Sequence, residues 1–308
     1  MRRRPGLCSL YARCRLAAVR LAAVLTLVPA IGSAQQLQQR LSNLGGGRLL
    51  VRPVAMAVSP SGQQVAIVDQ ALAVIVVVDL DGDVIWTVGE QVHLDQPQTV
   101  WFAAEDRLCF IQQNRPQVLA VSQKNVGLLD TVVDLSETLT GQYRFDQVVR
   151  HGDIGYLVLD KASGQVHLLD PAWNLSPSFI GHGSGQGRLL VPTAVASITG
   201  NRVAVTDRKN FPVQVFTAEG KVLFQAGWNQ PAAERSWQAT AVTVDSREII
   251  WVTDETNRQF RFYDPSGVPT GTMPFEDQSL HPVAMAATSD GRILVLDARG
   301  DLLFYAIE

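Results

Sequence analysis

Five aspartates recur in one local context: VAIVD ends at Asp69, YLVLD at Asp160, VAVTD at Asp207, IWVTD at Asp254 and ILVLD at Asp297, with FIQ ending at Gln112 in the remaining interval. Carboxylates in equivalent positions have two chemistries open to them. Converging on an axis they could coordinate a cation; standing ahead of a turn, each could accept hydrogen bonds from the amides that follow. The second reading is preferred, because residues such as Glu255, Thr256 and Asn257 follow Asp254 and the motif returns unit after unit. The histidines His93, His151, His167, His182 and His281 fall at dissimilar places in those units, so they do not converge on one zinc or calcium ion. GxSxG, HExxH and CxxCH are absent, and the glycine runs GSGQG and GGG open strands rather than helices. No catalytic residue, metal or cofactor is therefore assigned.

The elements that must hold these residues follow from the spacing. The six anchors lie 43, 48, 47, 47 and 43 residues apart, and a propeller blade of four strands takes roughly 40–50 residues. A second anchor sits ten residues on in five units, at Asp79, Ser122, Asp170, Thr217 and Asp264, and in three of them a glycine follows at Gly82, Gly220 and Gly267. That is the chemistry of a tight turn between strands. Between the anchors lie β-branched and aromatic runs such as VIVVV at 74–78 and QFRFY at 259–263. Upstream of each first anchor lies a small-residue run, among them VAMAV at 54–58, TAVAS at 193–197 and VAMAA at 283–287. Small side chains suit the innermost strand, where six blades converge.

GSGQGRLLVPTAVA from Gly183 to Ala196, followed by VAVTDRKNFPVQVF from Val203 to Phe216, resembles an NHL repeat, and GGGRLLVRPVAMAV from Gly45 to Val58 repeats the same linker. The third unit departs from it with Phe145 at the proline position, and the second lacks its Asp. The resemblance covers residues 35–308 and implies an all-β, six-bladed β-propeller with four-stranded antiparallel blades, in the neighbourhood of TolB-like and SMP-30-like folds. The last unit has three strands before Glu308, whereas QLQQRLSNLGGG reads as a fourth strand with no blade ahead of it. Pairing Leu37–Leu44 with Leu302–Ala306 closes the ring and removes two open edges.

Residues 1–34 have the layout of a secretory signal: six arginines, the apolar run LAAVLTLVPA at 21–30, and GSA before Gln35. The expectation is export to the periplasm or the extracellular space. The apolar run is half the roughly 20 residues a membrane span needs, so no stable span is expected after cleavage. Cleavage takes six arginines and no acid, leaving 20 basic against 29 acidic residues, a net charge of −9. That balance argues against a nucleic-acid partner. Cys109 is then the one cysteine left, in the strand-like run LCFI, and is read as a buried apolar residue.

Propellers bind at the face where loops entering the innermost strands meet the turns between second and third strands. The ligand-binding candidates there are Arg52, Gln96, Arg144, Trp237 and His281 from the loops and Arg208 and Arg258, with Lys209, from the turns. The polar linker Asn229–Trp237 is the expected specificity element. Together these features predict a monomeric binding or scaffolding module for a protein, peptide or glycan. The alternative is a metal-dependent hydrolase or lyase; lactonases, phosphotriesterases and amidating lyases share the six-bladed architecture. A quinone-linked dehydrogenase is the least favoured reading.

Overall fold

The computed structural model describes residues 36–113, 115–136, 143–176, 179–226 and 237–306. They form six antiparallel sheets arranged as a six-bladed β-propeller. Blade 1 contains β2 (Pro53–Val58), β3 (Gln64–Asp69), β4 (Val74–Asp79) and β5 (Val84–Val88). Blade 2 contains β6 (Pro97–Ala104), β7 (Arg107–Gln112), β8 (Gln117–Ser122) and β9 (Asn125–Asp134). Blade 4 contains β13 (Pro192–Ile198), β14 (Arg202–Asp207), β15 (Val213–Phe216) and β16 (Val222–Gln225). Blade 5 contains β17 (Val242–Val244), β18 (Ile250–Asp254), β19 (Gln259–Tyr263) and β20 (Pro269–Pro274).

Blade 3 departs from the regular pattern. It has β10 (Phe145–Arg150), β11 (Tyr156–Asp160) and β12 (Gln165–Leu169), and among the described residues the fourth-strand place holds isolated antiparallel bridges, Leu169 to Leu175 and Val166 to Ile180. Blade 6 consists of β21 (Pro282–Ala287), β22 (Arg292–Asp297) and β23 (Leu302–Ala306), and its outer strand is β1 (Leu37–Leu41). The two ends pair antiparallel with Leu37 opposite Tyr305 and Leu41 opposite Leu302. The pairing stops at Leu41. Leu44 instead bridges to Arg48 and buries itself between blades 1 and 6.

The hydrophobic core is divided into six clusters, each lying between two neighbouring blades. Both faces of a middle strand are therefore covered. This is why VAIVD, IWVTD and ILVLD read as continuous apolar runs rather than alternating ones. A deletion in any of them costs transfer energy and leaves a cavity, about 2–5 kcal/mol for a large aliphatic residue cut to Ala.

The turn chemistry is as the sequence predicts. Asp79 Oδ1 accepts from the amides of Asp81 (3.0 Å) and Asp83 (2.8 Å), and Asp264 Oδ1 from those of Ser266 and Val268 (both 2.9 Å). Gly82, Gly220 and Gly267 adopt φ of 93°, 74° and 87°, the left-handed region that glycine enters without a Cβ penalty. At Gly267 a Cβ would also stand 2.0 Å from the Phe224 ring.

Candidate functional site at the channel mouth

The first anchors do more than open turns. Asp69, wholly buried, accepts at Oδ1 from Ala71 and Leu72 in the following turn (both 3.0 Å), and at Oδ2 from Val51 (2.6 Å) and Arg52 (3.2 Å) in the loop entering β2. Asp207 does the same with Lys209 (2.8 Å) and Asn210 (2.9 Å) ahead of it and Leu190 (2.7 Å) and Val191 (3.1 Å) behind it. Asp160 holds the Arg144 amide at 2.7 Å and Asp297 the His281 amide at 2.6 Å. In blade 2, Gln112 takes the part with its Oε1, which accepts from the Asp95 amide. Asp69, Asp160 and Asp207 thus each fix an inbound loop against a turn, whereas in blade 5 Asp254 holds Asn257 and Arg261 and the inbound Gln238 amide donates to Thr256 Oγ1 instead.

A second tie repeats in all six blades: the residue after the anchor donates its amide to the carbonyl of the inbound loop. The pairs are Gln70 to Arg52, Gln113 to Gln96, Lys161 to Arg144, Arg208 to Val191, Glu255 to Gln238 and Ala298 to His281. Three rings result. The inbound-loop ring reads Arg52, Gln96, Arg144, Val191, Gln238 and His281, and the turn ring reads Gln70, Gln113, Lys161, Arg208, Glu255 and Ala298. Below them, the starts of the innermost strands supply Val54, Gln98, Asp146, Thr193, Thr240 and Val283.

These rings enclose a mouth cavity of about 380 Å3. It opens into the central channel, about 400 Å3, and the two share Val54, Asp146, Lys161, Thr193 and Val283 as walls. The channel wall is tied from blade to blade: Gln98 Nε2 donates to Asp146 Oδ1 (2.9 Å), Gln147 Oε1 accepts the Val195 amide (2.8 Å), and Thr193 Oγ1 donates to the Ala239 carbonyl (2.9 Å). The second satisfies a backbone amide on the inner edge of an innermost strand, and all three lock neighbouring blades together around the mouth.

Of the seven candidates predicted to bind ligand, Arg52, Arg144 and Arg208 line this mouth. Gln96 belongs to the inbound-loop ring but stands outside the cavity wall, held at φ 49° with its carbonyl bonded to the Gln113 amide. His281 has an exposed side chain, and its neighbour Pro282 lines the wall in its place. Trp237 is buried, 3% exposed, in the core between blades 4 and 5, with the Arg261 guanidinium 4.7 Å above its ring. Arg258 turns to the side, donating from Nε to the Gln278 carbonyl at 2.9 Å and covering Phe275. Lys209 contributes its amide to Asp207 and does not line the cavity. Residues 229–236 of the predicted specificity linker lie outside the described residues.

Sequence reasoning passed over Lys161, Asp146, Glu255 and the glutamines Gln70, Gln98 and Gln113. A signal was available for four of these six: Gln70, Gln113, Lys161 and Glu255 each stand immediately after an anchor.

The charges at the mouth are unevenly matched. Asp146, its side chain 9% exposed, accepts from Arg144 Nε (2.8 Å) and Nη2 (3.0 Å) and lies 3.6 Å from Lys161 Nζ. The bond to Asp146 raises the Arg144 pKa. Burial pushes the Lys161 ammonium below its ordinary value; Asp146 opposes this, and Arg144 and Arg208 add to it. Arg52 and Arg208 are exposed and make no side-chain hydrogen bond or ion pair among the described residues.

Away from the mouth, His151 is wholly buried with Nδ1 2.9 Å from Ser197 Oγ, and His167 Nε2 lies 3.9 Å from Asp160 Oδ2. Burial lowers the pKa of both. Among the described residues no three His, Cys, Asp or Glu side chains gather in a metal-binding cluster. The site is therefore a rigid polar mouth rimmed by cations and amides on a six-bladed propeller.

Known structures share this architecture. The chain is similar to virginiamycin B lyase from Staphylococcus aureus, with 14% identity, a TM-score of 0.57 and 89% of each chain covered. It is also similar to regucalcin, a calcium-binding protein from Agrobacterium tumefaciens strain C58 (11% identity, TM-score 0.61, covering 83% of this chain and 90% of that one). A third is the Cps50 (Swd1) β-propeller domain from Myceliophteria thermophila (10% identity, TM-score 0.62, covering 89% and 100%). At these identities the likeness shows the fold alone. No protein-family model matches the chain, and no curated protein matches its sequence.

Proposed function

We propose that this protein is an exported NHL-type propeller that captures a protein, peptide or glycan at the channel mouth. The observation that carries the reading is the convergence of Arg52, Arg144, Lys161 and Arg208 with three glutamines around one rigid cavity. A wall of hydrogen-bonding groups that is preorganised in this way binds without a large ordering cost. The signal-like N-terminus supports export, and the anchors with their linkers support the NHL relationship.

The test is recovery of a partner by the purified full chain, followed by rebinding of the purified components with and without the combined substitution Arg52→Ala and Arg208→Ala. Neither side chain bonds to the described protein, so the fold is expected to survive while affinity falls. A partner that binds both forms equally would overturn the assignment of the mouth. N-terminal sequencing of protein from the exported fraction is expected to begin at Gln35; a chain retained in the cytosol with residues 1–34 intact would defeat export.

The alternative, a metal-dependent hydrolase or lyase, is tested by metal analysis. Stoichiometric zinc or calcium, lost with activity in chelator, would favour it.

A further inference from the structure

We infer that the group the mouth recognises is an oxyanion, held by Lys161 together with the guanidinium groups of Arg208 and Arg52, which have no partner among the described residues. This rests on the mouth being the binding site and names the chemistry of what enters it.

Four cations line the cavity, Arg52, Arg144, Lys161 and Arg208, against two acids, Asp146 and Glu255. One of those acids is already committed: Asp146 is bonded to Arg144 and Gln98 and faces Lys161. Arg52 and Arg208 retain unused guanidinium donors, and a guanidinium presents a planar fork that matches carboxylate, sulfate and phosphate oxygens. Lys161 sits at the throat between mouth and channel, where burial and two arginines already strain its charge. An arriving anion relieves that strain.

The setting strengthens the argument. The whole chain carries a net charge of −3, yet its channel mouth is locally positive by two charges. A cleft of one sign with low-dielectric walls concentrates counter-ions of the other. Gln70, Gln98 and Gln113 add neutral donors around the same opening. The blade walls below offer small apolar side chains and backbone edges, so the anion is expected to stop at the throat.

The experiment is titration calorimetry of the full chain with citrate, inorganic sulfate and inorganic phosphate, each against sodium chloride at matched ionic strength. Saturable binding of at least one oxyanion is expected, with affinity reduced about tenfold by Arg208→Gln and again by Lys161→Gln, and unchanged by Lys221→Gln on an exposed turn. Which anion binds best tells carboxylate from sulfate or phosphate ligands. Affinity equal to that of chloride, or saturable binding that both mouth variants retain, would overturn the inference. Arg208, exposed and without a side-chain bond among the described residues, gives a folded variant even where Lys161→Gln does not.

The two readings fail separately. A macromolecular partner held at the mouth but not displaced by any oxyanion removes the oxyanion inference alone. Oxyanion binding with no macromolecular partner removes only the proposed function.

Discussion

Asp207→Asn is the sharpest test of how the fold builds its mouth. The wild-type carboxylate is wholly buried and accepts four backbone hydrogen bonds, from Leu190, Val191, Lys209 and Asn210, at 2.7–3.1 Å. Asparagine keeps one oxygen for Lys209 and Asn210 but turns an NH2 group toward the amides of Leu190 and Val191. Two donors then face a donor. A buried polar group left unsatisfied costs about 1–3 kcal/mol, and water reaching the exposed Val191 moves the estimate toward the low end, about 2–3 kcal/mol for the pair. Asp79→Asn disturbs an exposed turn whose bonds solvent can replace, and about 0.5–1 kcal/mol is expected. Urea unfolding measures both, through midpoints at unchanged slope. Equal losses in the two variants, or a loss below about 0.5 kcal/mol for Asp207→Asn, would refute the clamp; a stability change seen only when metal is present would return the carboxylates to cation binding.

Three further outcomes are expected. Removing residues 35–44 bares the edge of Leu302–Ala306 and the apolar surface that Leu37, Leu41 and Leu44 cover, so the truncated chain should associate in a concentration-dependent way and melt lower; sedimentation showing a monomer with unchanged melting would contradict this. His151 and His167 have folded-state pKa values lowered by burial, so below about pH 6.5 the unfolded chain binds protons that the folded chain refuses, and stability falls on acidification by at most about 1.4 kcal/mol per pH unit per histidine. Urea midpoints between pH 7.5 and 5.5 should therefore flatten in His167→Gln, and an unchanged slope would defeat the assignment. Cys109 is buried and its thiol is pushed up to about 12 by desolvation, so iodoacetamide at pH 8 should label it only after unfolding, as peptide mass mapping would show.

Much of this molecule was legible in one dimension because propeller constraints are local and repeated. The anchor spacing, the Asx turns at Asp79 and Asp264, the glycines at 82, 220 and 267, and the small residues of the innermost strands all follow from chemistry within one blade. The pairing of Leu37–Leu41 with Leu302–Tyr305 could be inferred because an outer strand missing at one end matched a spare strand at the other. Blade 3 broke the pattern: the segment after Leu169 makes isolated bridges where a full strand was expected.

What the tertiary structure decided is which side chains meet. Arg52, Arg144 and Arg208 share the mouth with Lys161 and Asp146, although Arg52 and Arg208 stand 156 positions apart along the chain, because six inbound loops and six turns converge on one axis. Trp237 and Arg258 carry equally suggestive side chains in an inbound loop and a turn of blade 5, yet one is buried between blades and the other turns to the Gln278 carbonyl in the linker to blade 6. Period and residue type encode the strand and its turn. The direction of a side chain at the rim depends on the backbone twist and on the neighbouring blade, and no segment of sequence carries either by itself.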